Sequence, residues 1–508
     1  MKKQTKVLLA AALFTLGASF SSMAALKNGT WVLNEDGWQY VDKEGEYVEE
    51  EWCYSYGVEY WVDEEGYLGS SEWVSDSDGY TYYVQSDGSK TKSSWKYLYA
   101  EDEEDDADAE EAWFYFDSKG RMVSEKFRYQ IGDYYYSFDG DGKMLTGWID
   151  NSTIEELGDA DNKVALKNAS YHDEETGALV RYSWINVFPW TEDEDDMYEG
   201  DDEVYYYTNS YGTPYANQIK KIDGLYYAFG VDGQMMDEWV IKTANGVDDD
   251  GNTTYVYTNA NALSAIANAE ELYYCTEDSG YAKTNSWRYL ENAPEDDDFW
   301  FYFDKLGKAF LATGSDAELT TGQRMTFVNG ETGVVSYDDD FHTSDSDTFV
   351  IETKKIDGTY YYFNQYGEMM DGLVEIGGKL MYLDDGARTT GKVTLTDENE
   401  NDYTFCFADE TSSTKGYEKY VAVTGNMDGY LYDNGQLVTS DDSDVYLEKT
   451  VTNNGVSATF VVDYRGKIMH KDDKEYELSA GVTESYKFST ANDDCWNEDC
   501  VAPTATAE

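Results

Sequence analysis

The chain has 508 residues, with 103 acidic against 37 basic side chains and a formal net charge of −66 at pH 7. A surface this anionic repels phosphate backbones, which excludes nucleic acid as a partner. Acidic chains are commonly disordered, but 48 Tyr, 14 Trp and only 4 Pro speak instead for aromatic-rich β-strands.

The N-terminus sets the expected compartment. Lys2, Lys3 and Lys6 precede an apolar run over residues 7–17, and Ser22-Met23-Ala24 follows with small residues at the right offsets. This pattern predicts a secretory signal peptide over residues 1–24, cleaved after Ala24. The apolar run falls short of the roughly 20 residues needed to span a bilayer, and no later stretch is long and apolar enough to do so. Residues 501–508 carry neither a hydrophobic tail nor a sortase-type signal. The expectation is a secreted protein held non-covalently at the cell surface or cell wall, with no transmembrane segment.

From Trp31 onward the chain is periodic. Trp31, Trp52, Trp73 and Trp95 are separated by 21, 21 and 22 residues, and Gly45, Gly66 and Gly88 keep step. Each unit reads as a short strand opening on Trp, a turn, an aromatic strand, and an Asp-x-x-Gly turn that tolerates positive φ. The clearest second strands are Trp113-Phe114-Tyr115-Phe116, Trp300-Phe301-Tyr302-Phe303 and Tyr360-Tyr361-Tyr362-Phe363. A lone hairpin is marginal in water. The expected fold is therefore all-β: an elongated solenoid of about a dozen stacked two-stranded hairpins of about 21 residues, with acidic loop insertions.

The period divides the chain into regular repeats over 27–148, degenerate repeats with acidic insertions over 149–352, further repeats over 353–470 and a C-terminal tail over 471–508. Stretches 101–111, 192–203 and 295–298 insert acidic residues between the two strands of a unit, and the segments 95–120 and 287–307 look like copies of one another. Acidic runs at hairpin tips read most simply as solvated loops. No EF-hand-type calcium loop occurs, and no metal or cofactor is expected. Of the cysteines at 53, 275, 406, 495 and 500, only Cys495 and Cys500 are near enough in sequence to suggest a disulfide.

The unit resembles the choline-binding, or cell-wall-binding, repeat of Gram-positive surface proteins, itself related to glucan-binding repeats. Gly142-Lys143-Met144-Leu145-Thr146-Gly147-Trp148 carries the closing half of that repeat, and residues 222–236 and 356–370 carry the opening half. The closing Thr-Gly-Trp is intact only at 146–148; elsewhere it becomes Glu50-Glu51-Trp52, Ser71-Glu72-Trp73 or Ser93-Ser94-Trp95. The resemblance implies aromatic cages between successive hairpins, since a quaternary ammonium is recognised by ring faces rather than by N–H hydrogen bonds. By position the candidate cages are Trp31 and Trp38 with Tyr60, Trp52 and Trp61 with Tyr82, and Met144 with Trp148. The same aromatics serve equally well as plain packing between hairpins.

No catalytic residues are expected. The histidines, His172, His342 and His470, stand in no metalloprotease pattern, and neither a Gly-x-Ser-x-Gly elbow nor a phosphate-binding glycine loop occurs. Stretches without a clear unit, 308–352 and 387–425, are shorter than the roughly 100 residues of an independent domain. Carboxylate pairs of the glycosidase kind abound but have no domain to hold them at fixed separation. The expected function is attachment to choline-bearing teichoic acid or a glucan-like polysaccharide. The alternative is a structural scaffold or adhesin whose acidic loops meet a host or surface protein.

Overall fold

The computed structural model describes residues 29–507 except 101–109, 157–165, 188–202, 261, 292–297, 314–319, 329, 335–347, 472–473, 480–481 and 489–504. The expected signal peptide, most of each acidic insertion, His342, and Cys495 with Cys500 lie outside the described residues. The chain is all-β, with one short α-helix at Leu263–Ala267 and a 3-10 turn at Leu166–Asn168 among the described residues. No helix there is long and apolar enough to cross a membrane. Two compact units divide it: residues up to 217 with 232–235, and residues 218–231 with 236–508.

In the first unit the hairpin follows directly from the sequence pattern. Gly29–Leu33 pairs with Trp38–Asp42, Glu51–Ser55 with Val58–Val62, Glu72–Ser75 with Thr81–Val84, and Ser94–Leu98 with Ala112–Phe116, all antiparallel. After the second strand comes the Asp-x-x-Gly turn. Asp117 shows how it works: its Oδ1 accepts the N–H groups of Lys119 and Arg121 while its carbonyl accepts that of Gly120. The short side chain thus satisfies backbone donors that no strand partner reaches.

After most of these turns two hydrogen bonds tie a hairpin to itself and to the one before it; Pro214, two after Gly212, has no N–H and makes no backward bond. The residue two after the glycine donates its N–H backward: Leu68 to the Trp38 carbonyl, Lys90 to Glu59, Met122 to Thr81, and Met144 to Trp113. The next residue donates to its own second strand, as Thr91 does to Tyr83 and Val123 to Tyr115. The same pair recurs in the second unit, where Met369 donates to Trp300 and Met370 to Tyr362. Backbone left unpaired by a two-stranded hairpin is thereby bonded to its neighbour, which is why so small a unit can persist.

A left-handed bend precedes many of the opening strands. Glu50, Ser71, Ser93, Tyr182 and Asn285 all have φ between 44° and 55° just ahead of the opening strand, near the place where Gly147 has φ 63°. The chain keeps the left-handed bend and sets ordinary side chains in it, at about 1–2 kcal/mol each.

The second unit departs from the expected uniform series of two-stranded hairpins. Thr320–Val328, Thr348–Ile356, Thr359–Asn364, Ala387–Arg388, Lys379–Asp384 and Gly372–Ile376 pair in that order, and the last pairs back to the first. They form a closed six-stranded barrel lined by Phe349, Ile351, Tyr362, Val374, Ile376 and Leu383. Strands of nine residues at Thr320–Val328 and Thr348–Ile356 outlast a single hairpin partner, and each takes a neighbour on either edge. A five-stranded sheet follows over residues 391–437. Beyond 470, in the expected tail, Glu475–Ser479, Val482–Phe488 and Ala505–Ala507 form a three-stranded sheet.

Some buried polar groups are matched, while others, such as the Ser55 and Thr91 hydroxyls, have no hydrogen-bond partner among the described residues. Arg324 pairs with Glu368 at 3.1 Å, and Asn364 Nδ2 donates to the same carboxylate at 2.7 Å. Cys53, Cys275 and Cys406 are free and buried. Burial pushes their thiols up to about 12, 12 and 11, with the Glu51 charge adding at Cys53, so they stay protonated and unreactive at neutral pH. His172 is fully buried, its Nδ1 donating to the Gly177 carbonyl at 2.9 Å and its Nε2 accepting the Ser137 hydroxyl at 3.2 Å. That arrangement fits the neutral ring, and burial drives its pKa down to about 4, against the Gly177 bond.

Two outcomes follow from these features. Tyr182→Gly relieves the left-handed strain against a smaller glycine entropy loss, and should raise stability by about 0.5–1 kcal/mol in urea melts; a loss would show the bend carries no strain. For His172, the unfolded ring protonates near 6.5 and the folded one near 4, so stability is intact above pH 6.5 and falls between the two. That loss is roughly 3 kcal/mol. His172→Asn should be less pH-sensitive than the native chain across that window by this amount, and parallel curves would refute the assignment.

Candidate functional site

Strand geometry sorts each hairpin's side chains onto two faces with period two. On the hairpin Ser94–Leu98/Ala112–Phe116, Trp95 lies opposite Tyr115 and Tyr97 opposite Trp113, so these four share one face. Phe114 and Phe116 take the other face, fully buried against Trp73 of the preceding hairpin. Trp95 meets Tyr115 at 5.1 Å and is covered by the next hairpin's Tyr136 at 4.8 Å and Phe138 at 5.6 Å between ring centroids.

The rule recurs wherever the tryptophan opens a strand. Trp73 packs on Tyr83 and the next hairpin's Phe114; Trp148 on Tyr171 and Tyr206; Trp239 on Tyr274 and Phe301; Trp287 on Tyr302 and Tyr361. Edge-to-face contacts predominate, the geometry favoured by ring quadrupoles.

The outer end of the Trp95 face stays open. Tyr97 and Trp113 lie 5.2 Å apart at 48° and Tyr97 is 49% exposed. With Met144 of the next repeat they line a cleft of about 570 Å³. Among the described residues Glu110, Glu111, Asp139, Glu155, Glu156, Glu174 and Glu175 border it, with Lys143 as the one cation in the lining. Glu156 Oε1 is partly held, accepting the Thr146 N–H at 2.8 Å. Burial raises the Asp139 carboxyl above the usual range, opposed by the Lys143 N–H. Two ring faces and a thioether under a carboxylate rim suit a soft organic cation. Among the described residues no group of three or more His, Cys, Asp or Glu is placed to hold a metal.

A second, less enclosed copy lies in the second unit. Tyr289 and Trp300 oppose each other in register, 5.3 Å apart at 47°, with exposures of 55% and 42%. Met369 donates its N–H to the Trp300 carbonyl just as Met144 does to Trp113.

The two candidate trios and the candidate pair fare differently. Trp31, Trp38 and Tyr60 meet in one cluster, but Trp31 is buried against Tyr40 and Tyr60. Trp52 does gather Trp61 at 5.1 Å and Tyr82 at 5.7 Å, and the Lys90 ammonium lies over it at 3.9 Å. Met144 and Trp148 are not brought together: Met144 packs with Phe138 and Trp95, Trp148 with Tyr171 and Tyr206. Tyr97 and Trp113 were not among the candidates. Their signal is the doubled Trp-x-Tyr, Trp95-Lys96-Tyr97 with Trp113-Phe114-Tyr115, repeated at 287–289 and 300–302.

No family model matches the chain. Glucosyltransferase-S of Streptococcus mutans is 24% identical over 409 residues, covering 70% of this chain and 24% of that protein. Two Streptococcus pneumoniae proteins named as endo-beta-N-acetylglucosaminidases are 27% identical over 108 residues, 21% of this chain and 14% or 13% of theirs. The chain thus spans a quarter or less of these curated relatives. Among solved structures, the modular autolysin LytC from Streptococcus pneumoniae aligns over 67% of this chain and 52% of its own, at 16% identity and TM-score 0.33. Choline binding protein F from the same organism aligns over 82% and 100%, at 15% identity and TM-score 0.31. The repeat resembles the choline-binding and glucan-binding repeats.

The covered and open ends of the Trp95 face should separate in experiment. Trp95→Ala removes a ring packed between hairpins and should lower stability by about 3–5 kcal/mol, while Trp113→Ala should lower it by under half as much. Equal losses in denaturant melts would mean the Trp113 ring is structural too.

Proposed function

We propose that this chain is a secreted, non-catalytic attachment protein whose hairpins stack as a solenoid and bind quaternary ammonium groups of an envelope polymer. The observation that carries the reading is the cleft of Tyr97, Trp113 and Met144 with its seven carboxylates. Ring faces attract a methylated cation with about 0.5–2 kcal/mol per contact. The carboxylates add long-range attraction without needing a donor on the ligand. A choline-bearing teichoic acid would present such groups in series, and several weak sites on one chain would then act together. The similarity to Glucosyltransferase-S and the exposed rings Tyr289 and Trp300 favour a glucan-like polysaccharide as second reading, since sugar faces also stack on aromatics.

Choline titrated into the full chain should quench or shift tryptophan fluorescence, and free choline should release the protein from choline-decorated walls. Trp113→Ala should weaken the choline response at this cleft about tenfold, the equivalent of about 1.4 kcal/mol. No response and no release would sink the choline reading. Retention on immobilised dextran would then favour the glucan, and binding to neither would leave the scaffold alternative.

A further inference from the structure

The residue two after the turn glycine is where a repeat packs back toward its predecessor, and in other repeats of the first unit it is an apolar residue such as Leu68, Met122, Met144, Leu179 or Pro214. In one repeat it is Lys90. Its backbone behaves as elsewhere, bridging Val84 and donating to the Glu59 carbonyl at 2.8 Å. Its side chain does something the aliphatic residues cannot: the ammonium lies 3.9 Å from the centroid of Trp52 and 4.5 Å from that of Tyr82. Trp61 closes on Trp52 from the paired strand. Glu59 receives the same ammonium at 3.3 Å and also pairs with Lys92. Only 7% of the Lys90 side chain is exposed.

We infer that Lys90 is a built-in occupant of the Trp52–Trp61–Tyr82 cage, filling with the chain's own cation the place an external quaternary ammonium would take. The inference rests on the reading that these cages take cations, and it limits which of them are open to ligand. Burial draws the lysine below its usual value while Glu59 pulls the other way; two ammonium groups hold the Glu59 carboxyl low despite its own burial. A buried charge is tolerated where ring faces and a carboxylate replace its water. Trp52 and Tyr82 supply the rings and Glu59 the carboxylate around Lys90, with no ligand needed. The second unit repeats the device: Arg388, two after Gly386, lies 4.6 Å over Tyr420 and 5.4 Å over Tyr360. By contrast Met144, at the same position, borders a cleft with space left in it.

The test is choline binding to the full chain by calorimetry, comparing the native protein with Lys90→Ala and Lys90→Arg. Lys90→Ala empties the cage and should bind one more equivalent of choline than the native chain; Lys90→Arg keeps a cation there and should gain none. Should Lys90→Ala lose its thermal transition, Lys90→Met carries the residue of the neighbouring repeats and should show the gain. A folded Lys90→Ala or Lys90→Met with no added equivalent overturns the inference, and if the native chain still binds choline the attachment reading survives. A gain over a native chain that binds none upholds the inference and removes the Trp113 cleft as a choline site.

Discussion

Each opening tryptophan is wedged between the aromatic paired with it across the hairpin and the rings of the hairpin that follows. Trp95 between Tyr115 and Tyr136, and Trp287 between Tyr302 and Tyr361, are the same contact in different units. A two-stranded ribbon has nothing of its own to bury either face against. The tryptophan supplies both ends of that bargain, completing its own ribbon's core and forming half of the next. Where the residue two after the turn glycine donates its backbone N–H backward, as Lys90, Met122 and Met144 do, that bond fixes the spacing at which this ring contact is made. Stability of such a chain is carried by nearest neighbours, and the sites inherit their position from the same contacts.

Because faces alternate along a strand, covering one end of the Trp face leaves the other end to chance. Hairpins with a second Trp-x-Tyr pair extend the face beyond what the next hairpin covers. Tyr97 with Trp113 and Tyr289 with Trp300 are therefore a by-product of the packing scheme, with Tyr97, Tyr289 and Trp300 exposed and Trp113 half-buried. Packing and recognition use the same residue types here, and only register separates them.

That explains what could be read in the residues and what could not. The 21-residue spacing of Trp31, Trp52 and Trp73, with Asp-x-x-Gly between them, is local chemistry, and the strands fall where it puts them. Closure of the barrel over residues 320–388 is not local: it depends on Gly322 meeting Ile376 across more than fifty residues. The barrel's first strand, Thr320–Val328, falls on a stretch where the period fades, while its strands at 359–384 keep the repeat pattern. At the sites, tryptophan identity was legible but partnership was not. Met144 and Trp148 adjoin in sequence yet belong to successive clusters, because the left-handed bend at Gly147 turns the chain from one hairpin into the next. Tyr97 and Trp113 stand on strands separated by an acidic insertion, and only the antiparallel register sets them face to face.

The scarcity of positive charge sharpens the meaning of where it goes. A chain with 103 acidic side chains offers each of its 37 basic ones many carboxylate partners in open solvent, where such pairs contribute little. Several basic groups lie instead over rings: Arg121 over Tyr80 at 3.6 Å, Arg128 over Tyr211 at 4.2 Å, Lys392 over Tyr430 at 4.6 Å. Lys90 combines both kinds of partner, two rings and Glu59, and is sequestered from water by them. An aromatic enclosure that takes up the chain's own ammonium group has the shape and field to take up another cation. On the proposed reading, the difference between a filled enclosure and an open one comes down to one side chain at one position, Lys90 in the first and Met144 beside the second.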